Sequence, residues 1–196
     1  MLRIDNIKVY DLKESVIACR NAMRLEIPEY TDEEFEKSLE RAKKLVQASK
    51  NGIVKCHDNY LTGIRVSFDL VYPQYISPEL QRYHFFDIVT SASKMHRLCK
   101  MDIRKACNKY VDERVIAVEQ EKVDIYNSNP TYENFMAMVS NCPAGLELFM
   151  RCSTNYKQLQ TIYFQRKNHK LKEDWGAFCK FIEELPYAKE LIIGDE

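Results

Sequence analysis

The chain contains 196 residues, 45% of them hydrophobic, and its 29 basic side chains balance its 29 acidic ones. This length predicts a single domain over residues 1–196, and the zero net charge argues against a protein that binds nucleic acid or an anionic membrane. Because no apolar run of about 18 residues is present and Asp5 interrupts the N-terminal stretch, we expect a cytoplasmic protein.

The first predicted elements are a short strand over residues 7–10 and a helix over residues 15–24. A longer helix is expected after Thr31, which is spaced to form a capping box with Glu34, and it should end at residues 51–52, an Asn-Gly pair. The face that we expect this helix to bury carries Phe35, Leu39, Ala42 and Val46.

Two later segments alternate apolar and polar residues, which is typical of half-buried strands. The apolar positions of these strands are Ile64, Val66, Phe68 and Leu70, and then Leu146, Leu148, Met150 and Cys152. Between them we predict two helices separated by a turn over residues 127–130, the second of them capped by Thr131. Their expected buried faces carry Val111, Val115, Val118 and Ile125, and then Tyr132, Phe135, Met136 and Val139.

The C-terminal third predicts two further helices, each with one apolar face. On the first, Asn155, Leu159, Ile162 and Arg166 share a face, and on the second Leu171, Trp175, Phe178 and Ile182 do so. These elements together predict an α+β domain.

No short catalytic signature is present: the chain lacks a Gly-rich phosphate loop, a G-x-S-x-G elbow and an H-E-x-x-H motif. The seven cysteines are odd in number and form no C-x-x-C pair, so we expect neither a disulfide framework nor a metal site. Three polar clusters are left, at residues 56–59, 82–97 and 155–172. The second is also typical of a solvated helix, and the third of an exposed cationic face or a small RNA patch.

The order and spacing of these clusters resemble the flavin-dependent thymidylate synthase family over roughly residues 50–185. That family shows a Gly-His pair, an aromatic strand ending in proline and, nine residues later, R-H-R-x-x-S-x-N-E-x-S-x-R-Y. Here His57 precedes Pro73, and Arg82 follows nine residues after that proline. A later Leu-Pro of the family is matched at residues 142–143, with Asn155 twelve residues beyond the proline and Arg166 eleven beyond Asn155.

The chain departs from the family signature at several positions. Tyr83 and His84 replace the second and third residues of R-H-R, and residues 89–90 stand where the family has N-E. Met95 occupies the place of an arginine if one residue is inserted, and Val139 replaces an arginine that helps to hold the nucleotide. The flavin side of the motif is therefore better preserved than the nucleotide side.

The resemblance implies a fold in which an antiparallel sheet packs with helices, and a homotetramer whose subunits share each active site. It implies FAD as cofactor, NADPH and methylenetetrahydrofolate as co-substrates, and transfer of a one-carbon group to a pyrimidine nucleotide such as dUMP. The cofactor-binding residues implied are His57, Asn59, Arg82, His84, Asn155 and Lys157. The substrate-binding residues implied are Ser93, Arg97 and Arg166, with Arg166 also the catalytic group that stabilises negative charge on the pyrimidine.

Two alternatives stay open at this point. One is an oligomeric binding or structural protein that keeps the fold without flavin chemistry, which the missing glutamate and arginines favour. The other is a small RNA-binding module over residues 157–172, which the neutral net charge disfavours.

Overall fold

The computed structural model of the protein describes residues 2–52 and 57–194, and a four-stranded antiparallel sheet lies at its centre. The strands are β1 (Arg3–Tyr10), β2 (Arg65–Pro73), β3 (Asp87–Ser91) and β4 (Glu147–Asn155), in the order β1-β2-β4-β3. Strands β2 and β4 pair along their whole length. The predicted α+β class with an antiparallel sheet is confirmed.

The two faces of the sheet differ because apolar and polar residues alternate along β2 and β4. One face is buried, and its core includes Val66, Phe68, Leu70, Met150 and Cys152. The opposite face, here called the open face, carries Arg65, Ser67, Asp69 and Val71 of β2 and Phe149, Arg151 and Ser153 of β4. Both predicted alternations are confirmed, whereas β3 was not predicted.

The N-terminal helices are α1 (Leu12–Ala18) and α2 (Asp32–Lys50). Thr31 caps α2 by accepting a hydrogen bond from the Glu34 N–H at 3.2 Å, and Gly52 ends it with a φ of 68°. The predicted apolar stripe of α2 is buried. The helix expected over residues 15–24 is wrong in its bounds, because α1 begins earlier and gives way to a 3₁₀ turn at Asn21–Met23.

The middle of the chain forms short helices α3 (Ser77–Leu80), α4 (Lys94–Arg97) and α5 (Ile103–Ala106), then the longer α6 (Glu113–Ser128) and α7 (Tyr132–Asn141). The cap at Thr131 is confirmed, since its side chain accepts from the Asn134 N–H at 3.2 Å.

The buried face predicted for the first of these longer helices is wrong. On α6, Val115, Val118 and Ile125 are exposed, and the buried residues are Ile116, Glu119 and Val123. Because the buried stripe contains the charged residue Glu119, the exposed stripe of valines and isoleucine is the more apolar of the two in the sequence. Two predicted core residues of α7 are likewise exposed, Tyr132 and Met136.

Helices α8 (Tyr156–Arg166) and α9 (Lys172–Glu183) cover the buried face of the sheet. Their predicted apolar faces are confirmed: Leu159 and Ile162 are fully buried, and Phe178 stacks edge-on against Phe68 of β2 at 6.0 Å between ring centroids. Within the described residues, no helix combines the length and the apolar character needed to cross a bilayer.

Candidate functional site

The N-terminus of α8 gathers residues from two distant parts of the chain. Asn155 ends β4 and caps α8, with its side-chain oxygen accepting the Gln158 N–H at 2.8 Å. Lys157, in the first turn, donates a hydrogen bond to the carboxylate of Asp58, which is fully buried. His57 and Asn59 flank that aspartate, and both side chains are exposed. Four of the predicted cofactor residues therefore lie around one helix end.

Asp58 was not singled out by the sequence, although it lies inside the first polar cluster. Its Oδ1 atom is buried and has no hydrogen-bond partner among the described residues, while its Oδ2 accepts from Lys157. Buried polar atoms in native proteins are nearly always paired, so an orphaned carboxylate oxygen indicates a missing donor. A ligand that carries N–H or O–H groups would supply one.

The loop over residues 81–86 brings the remaining predicted cofactor residues to the same helix. The Phe85 N–H donates to Gln158 Oε1 at 3.2 Å, and the Thr154 hydroxyl donates to the Phe85 carbonyl at 2.8 Å. These bonds fix the loop, and Arg82 and His84 project from it with exposed side chains. Gln158 thus links the loop to the helix turn that also holds residues 57–59.

A cleft of about 870 Å³ opens beside His57, between that residue, the segment that follows α1 and one face of α2. Among the described residues, its lining includes four cations, Arg20, Lys37, Arg41 and Lys44, and one carboxylate, Glu40. Arg20 is paired with Glu34 and Lys37 with Glu33, so Arg41 and Lys44 carry the excess of positive charge, which favours an anionic ligand such as a phosphate group. The Cys19 thiol also lines the cleft, and burial raises its pKa to about 11, so it stays protonated at neutral pH.

Ser93 and Arg97, which the resemblance assigned to the substrate, line a second cleft of about 600 Å³ on the open face of the sheet. Phe149 of β4 forms part of its floor and is half exposed. The Arg97 guanidinium lies 5.9 Å from the centroid of that ring. The cleft therefore combines an aromatic surface and hydroxyl groups with several charged side chains. Among the described residues, these are the arginines Arg3, Arg97 and Arg151 and the carboxylates Asp5 and Asp69.

Arg166 lies on the other side of the sheet, in the helix layer. Its Nε donates to the Tyr83 hydroxyl at 2.6 Å, its Nη1 is 2.8 Å from Glu79 Oε2, and its Cζ is 4.4 Å from the Trp175 ring centroid. The Trp175 N–H donates to the same Glu79 oxygen at 2.8 Å. Within one chain, the structure does not bring Arg166 together with Ser93 and Arg97.

Two further features bear on metals and thiols. Among residues 2–52 and 57–194, no group of three or more histidine, cysteine or acidic side chains is placed to hold a metal ion. Cys56, the neighbour of His57 in the sequence, lies outside the described residues. The described cysteines are free thiols.

Solved structures with this fold are known. A thymidylate synthase X (ThyX) from Helicobacter pylori, crystallised with FAD and dUMP, superposes with a TM-score of 0.74 at 15% identity, over 98% of this chain and 97% of that one. A second crystal structure of the H. pylori ThyX flavin-dependent enzyme with FAD and dUMP gives 0.72 at 16% identity, over 97% of both chains. The UMP/dUMP methylase PolB from Streptomyces cacaoi, bound to 5-Br dUMP, gives 0.57 at 10% identity, over 83% of this chain and 77% of that one.

No protein-family model matches the sequence, and no curated protein sequence does either. Identity is low while structural coverage is nearly complete, so the three-dimensional arrangement carries the similarity. The chain has the fold of the flavin-dependent thymidylate synthases, as its resemblance to that family predicted.

Proposed function

We propose that the protein binds FAD around the N-terminus of α8 and transfers a one-carbon group to a pyrimidine nucleotide such as dUMP. The observation that carries this proposal is that hydrogen bonds tie three segments to the first turns of α8. Asp58 of residues 57–59 accepts from Lys157, Phe85 of the 81–86 loop donates to Gln158, and Asn155 caps the helix. These segments are far apart in the sequence, and they contain all six residues assigned to the cofactor. The FAD and dUMP present in the H. pylori ThyX structures support the proposal.

The residues present fit FAD. Arg82 is exposed and can form charge-assisted bonds to a phosphate, and the cationic cleft beside His57 suits a pyrophosphate group. The orphaned Asp58 oxygen suits an N–H or O–H donor, which the flavin ring and its ribityl chain both carry. Bound FAD supplies hydride transfer, while this chain binds and orients it and provides fixed positive charge. NADPH and methylenetetrahydrofolate are the co-substrates of the proposed reaction.

The nucleotide is assigned to the cleft on the open face. Phe149 offers a stacking surface for a pyrimidine, Arg97 a cation for the phosphate, and Ser93 a hydroxyl. Arg166 is separated from this cleft by the sheet, so it reaches a nucleotide only from a second copy of the chain. A homo-oligomer, with four copies as in the family that the sequence resembles, is therefore part of the proposal.

Two observations favour a second candidate function, a binding protein that keeps the fold without catalysis. The guanidinium of Arg166 is already paired with Glu79 and hydrogen-bonded to Tyr83, so much of its capacity to stabilise an anion is used inside the chain. The altered residues 89–90 point the same way. Flavin binding without nucleotide-dependent turnover is the behaviour expected of this candidate.

A flavin titration tests the proposal. We expect the purified protein to show the visible absorption of bound FAD, or to quench FAD fluorescence on addition. Substituting Arg82→Met or His57→Ala should weaken FAD binding about tenfold, or ~1.4 kcal/mol, whereas Arg104→Met, an exposed arginine of α5, should not. A colourless protein with no response to excess FAD would sink the flavin proposal.

A turnover assay then separates the two candidates. With FAD, NADPH, methylenetetrahydrofolate and dUMP, the enzyme should form thymidylate. FAD binding with no product from dUMP or UMP would favour the binding protein.

A further inference from the structure

Strand β1 contains a bulge beside the cleft of the open face. Asp5 pairs with Asp69 and Lys8 with Ser67, so two residues of β1 stand opposite one residue of β2. Asn6, at the bulge, has a φ of 52°, in the left-handed region that asparagine tolerates better than most residues. Bulges of this kind redirect backbone and side-chain groups, and they are frequent next to binding sites.

The bulge places Asn6 against Asp69 and Arg151. The Asn6 amide donates to Asp69 Oδ2 at 2.6 Å, and Nη1 of Arg151 donates to the Asn6 carbonyl and to Asp69 Oδ1, each at 3.0 Å. These hydrogen bonds, that from Asn6 first, lower the pKa of Asp69, which stays ionised at neutral pH. Nη1 of Arg151, on β4, is thereby held by residues of the two neighbouring strands β1 and β2.

Nε and Nη2 of Arg151 can donate hydrogen bonds to a ligand in the cleft. Arg151 lines the cleft together with Phe149, and the two residues are neighbours on the open face of β4. Both of its hydrogen bonds use Nη1, and a guanidinium also carries N–H donors on Nε and Nη2. Arg97 lies against the same aromatic ring, so two arginines border one stacking surface.

We propose that Arg151, oriented by Asp69 and the bulge at Asn6, is a second phosphate-binding arginine of the nucleotide cleft. This inference rests on the proposed function, and it adds a residue that the family resemblance did not assign. A nucleoside monophosphate is a dianion near neutral pH, and two arginines supply the charge and the paired donors that suit it. Asn6 and Asp69 act as positioning residues, because they hold the guanidinium through its Nη1 atom.

The test compares binding of dUMP with binding of deoxyuridine, which lacks the phosphate. We expect Arg151→Met to weaken dUMP binding at least about tenfold while leaving deoxyuridine binding within about twofold. Arg65→Met is the matched control, since Arg65 lies on the same face, contacts Asp87 and Ser153, and does not line the cleft. That control should leave both affinities unchanged.

Arg151→Lys distinguishes a loss of binding from a folding defect. It keeps a cation beside Asp69 but loses the planar paired donors of the guanidinium. It should fold normally and still lose most of the preference for dUMP over deoxyuridine. Equal dUMP binding by the parent and both Arg151 variants would overturn this inference and leave the proposed function standing. A parent that binds FAD but neither nucleotide nor nucleoside overturns the assignment of the cleft, and the inference with it.

Discussion

At the scale of single residues, two buried carboxylates differ in whether they have a hydrogen-bond partner. Asp58 is paired with Lys157, whereas both carboxylate oxygens of Glu119 lack a hydrogen-bond partner among the described residues. Burial raises the pKa of Glu119 to about 7, and the charge of Lys94 offsets only part of this shift. The folded chain therefore holds a proton on Glu119 at pH values where the unfolded chain has lost it.

This raised pKa has a definite effect on stability. The folded state binds more protons than the unfolded state between pH 4.5, the ordinary pKa of the group, and about pH 7, so stability falls as the pH rises through that window. We expect Glu119→Met, which nearly conserves volume, to raise the melting temperature at pH 8 by about 3 °C, corresponding to roughly 1 kcal/mol. At pH 5 the variant and the parent should melt within about 1 °C of each other.

Thermal melts at several pH values check this expectation. Glu121→Met provides the control, because Glu121 is an exposed acid on the same helix and should behave like the parent at every pH. A decline with pH that persists unchanged in Glu119→Met would show that another group causes it.

At the scale of elements, Arg166 connects three helices. It lies at the end of α8, pairs with Glu79 of α3 and stacks on Trp175 of α9, while Tyr83 in the following loop accepts from its Nε. Its side chain is only 13% exposed. Replacing such a guanidinium by an ammonium removes the planar donors and the stacking contact, even though the charge is kept.

We therefore expect Arg166→Lys to lower the free energy of unfolding by about 1–2 kcal/mol, through loss of a hydrogen bond and of the stacked cation. Urea denaturation measures this change, and Arg104→Lys, at an exposed ion pair, should cost less than about 0.5 kcal/mol. If Arg166→Lys were as stable as the parent, the arginine would do no more than complement the dipole of its own helix.

The sequence predicted well those elements in which the pattern of apolar and polar residues matches the pattern of buried and exposed positions. β2 and β4 alternate cleanly because one face is buried and the other is not, and α2 carries both a cap and an unbroken apolar stripe. β3 was missed because all five of its residues are exposed, so no burial pattern marks it. The face of α6 was assigned wrongly because Glu119 occupies a buried position whose neutral state depends on its surroundings.

Some residues of the candidate site could likewise be proposed from the sequence, and others could not. Spacing within a family motif assigned His57, Arg82 and Asn155 to the cofactor, and the segments that contain them are hydrogen-bonded to the first turns of α8. The partners that hold the site, such as Asp58 and Gln158, carry no local signal. Their roles depend on contacts between distant segments, such as the hydrogen bond from Phe85 to Gln158.

At the scale of the whole molecule, the chain exposes apolar stripes on α6 and α7. Val115, Val118 and Ile125 recur on one side of α6, and Tyr132 and Met136 on one side of α7, all of them at least 38% exposed. Apolar stripes of this kind on a protein with neutral net charge are typical of surfaces that pack against another subunit. They support the proposed homo-oligomer.

We expect the parent protein to be at least dimeric at micromolar concentration, and the double substitution Val118→Lys with Ile125→Lys to shift it to a smaller species. Light scattering after size-exclusion chromatography measures the mass. Leu25→Lys serves as the control, because this apolar side chain is fully exposed in a loop and its replacement should leave the mass unchanged. A parent that runs as a monomer contradicts the prediction.

The pairing of β2 with β4 has a consequence for how the chain folds. These central strands are separated in the sequence by β3 and by α3 to α7, so the ladder that organises the sheet joins residues that are far apart along the chain. Closing such a long loop costs entropy before any contact offsets it, and this slows folding. The α6–α7 pair, in contrast, joins adjacent segments through a short turn and can form early. During synthesis β2 emerges before β4, its partner in the sheet. We therefore expect the apolar residues of β2 to promote aggregation of the nascent chain until β4 is available to pair.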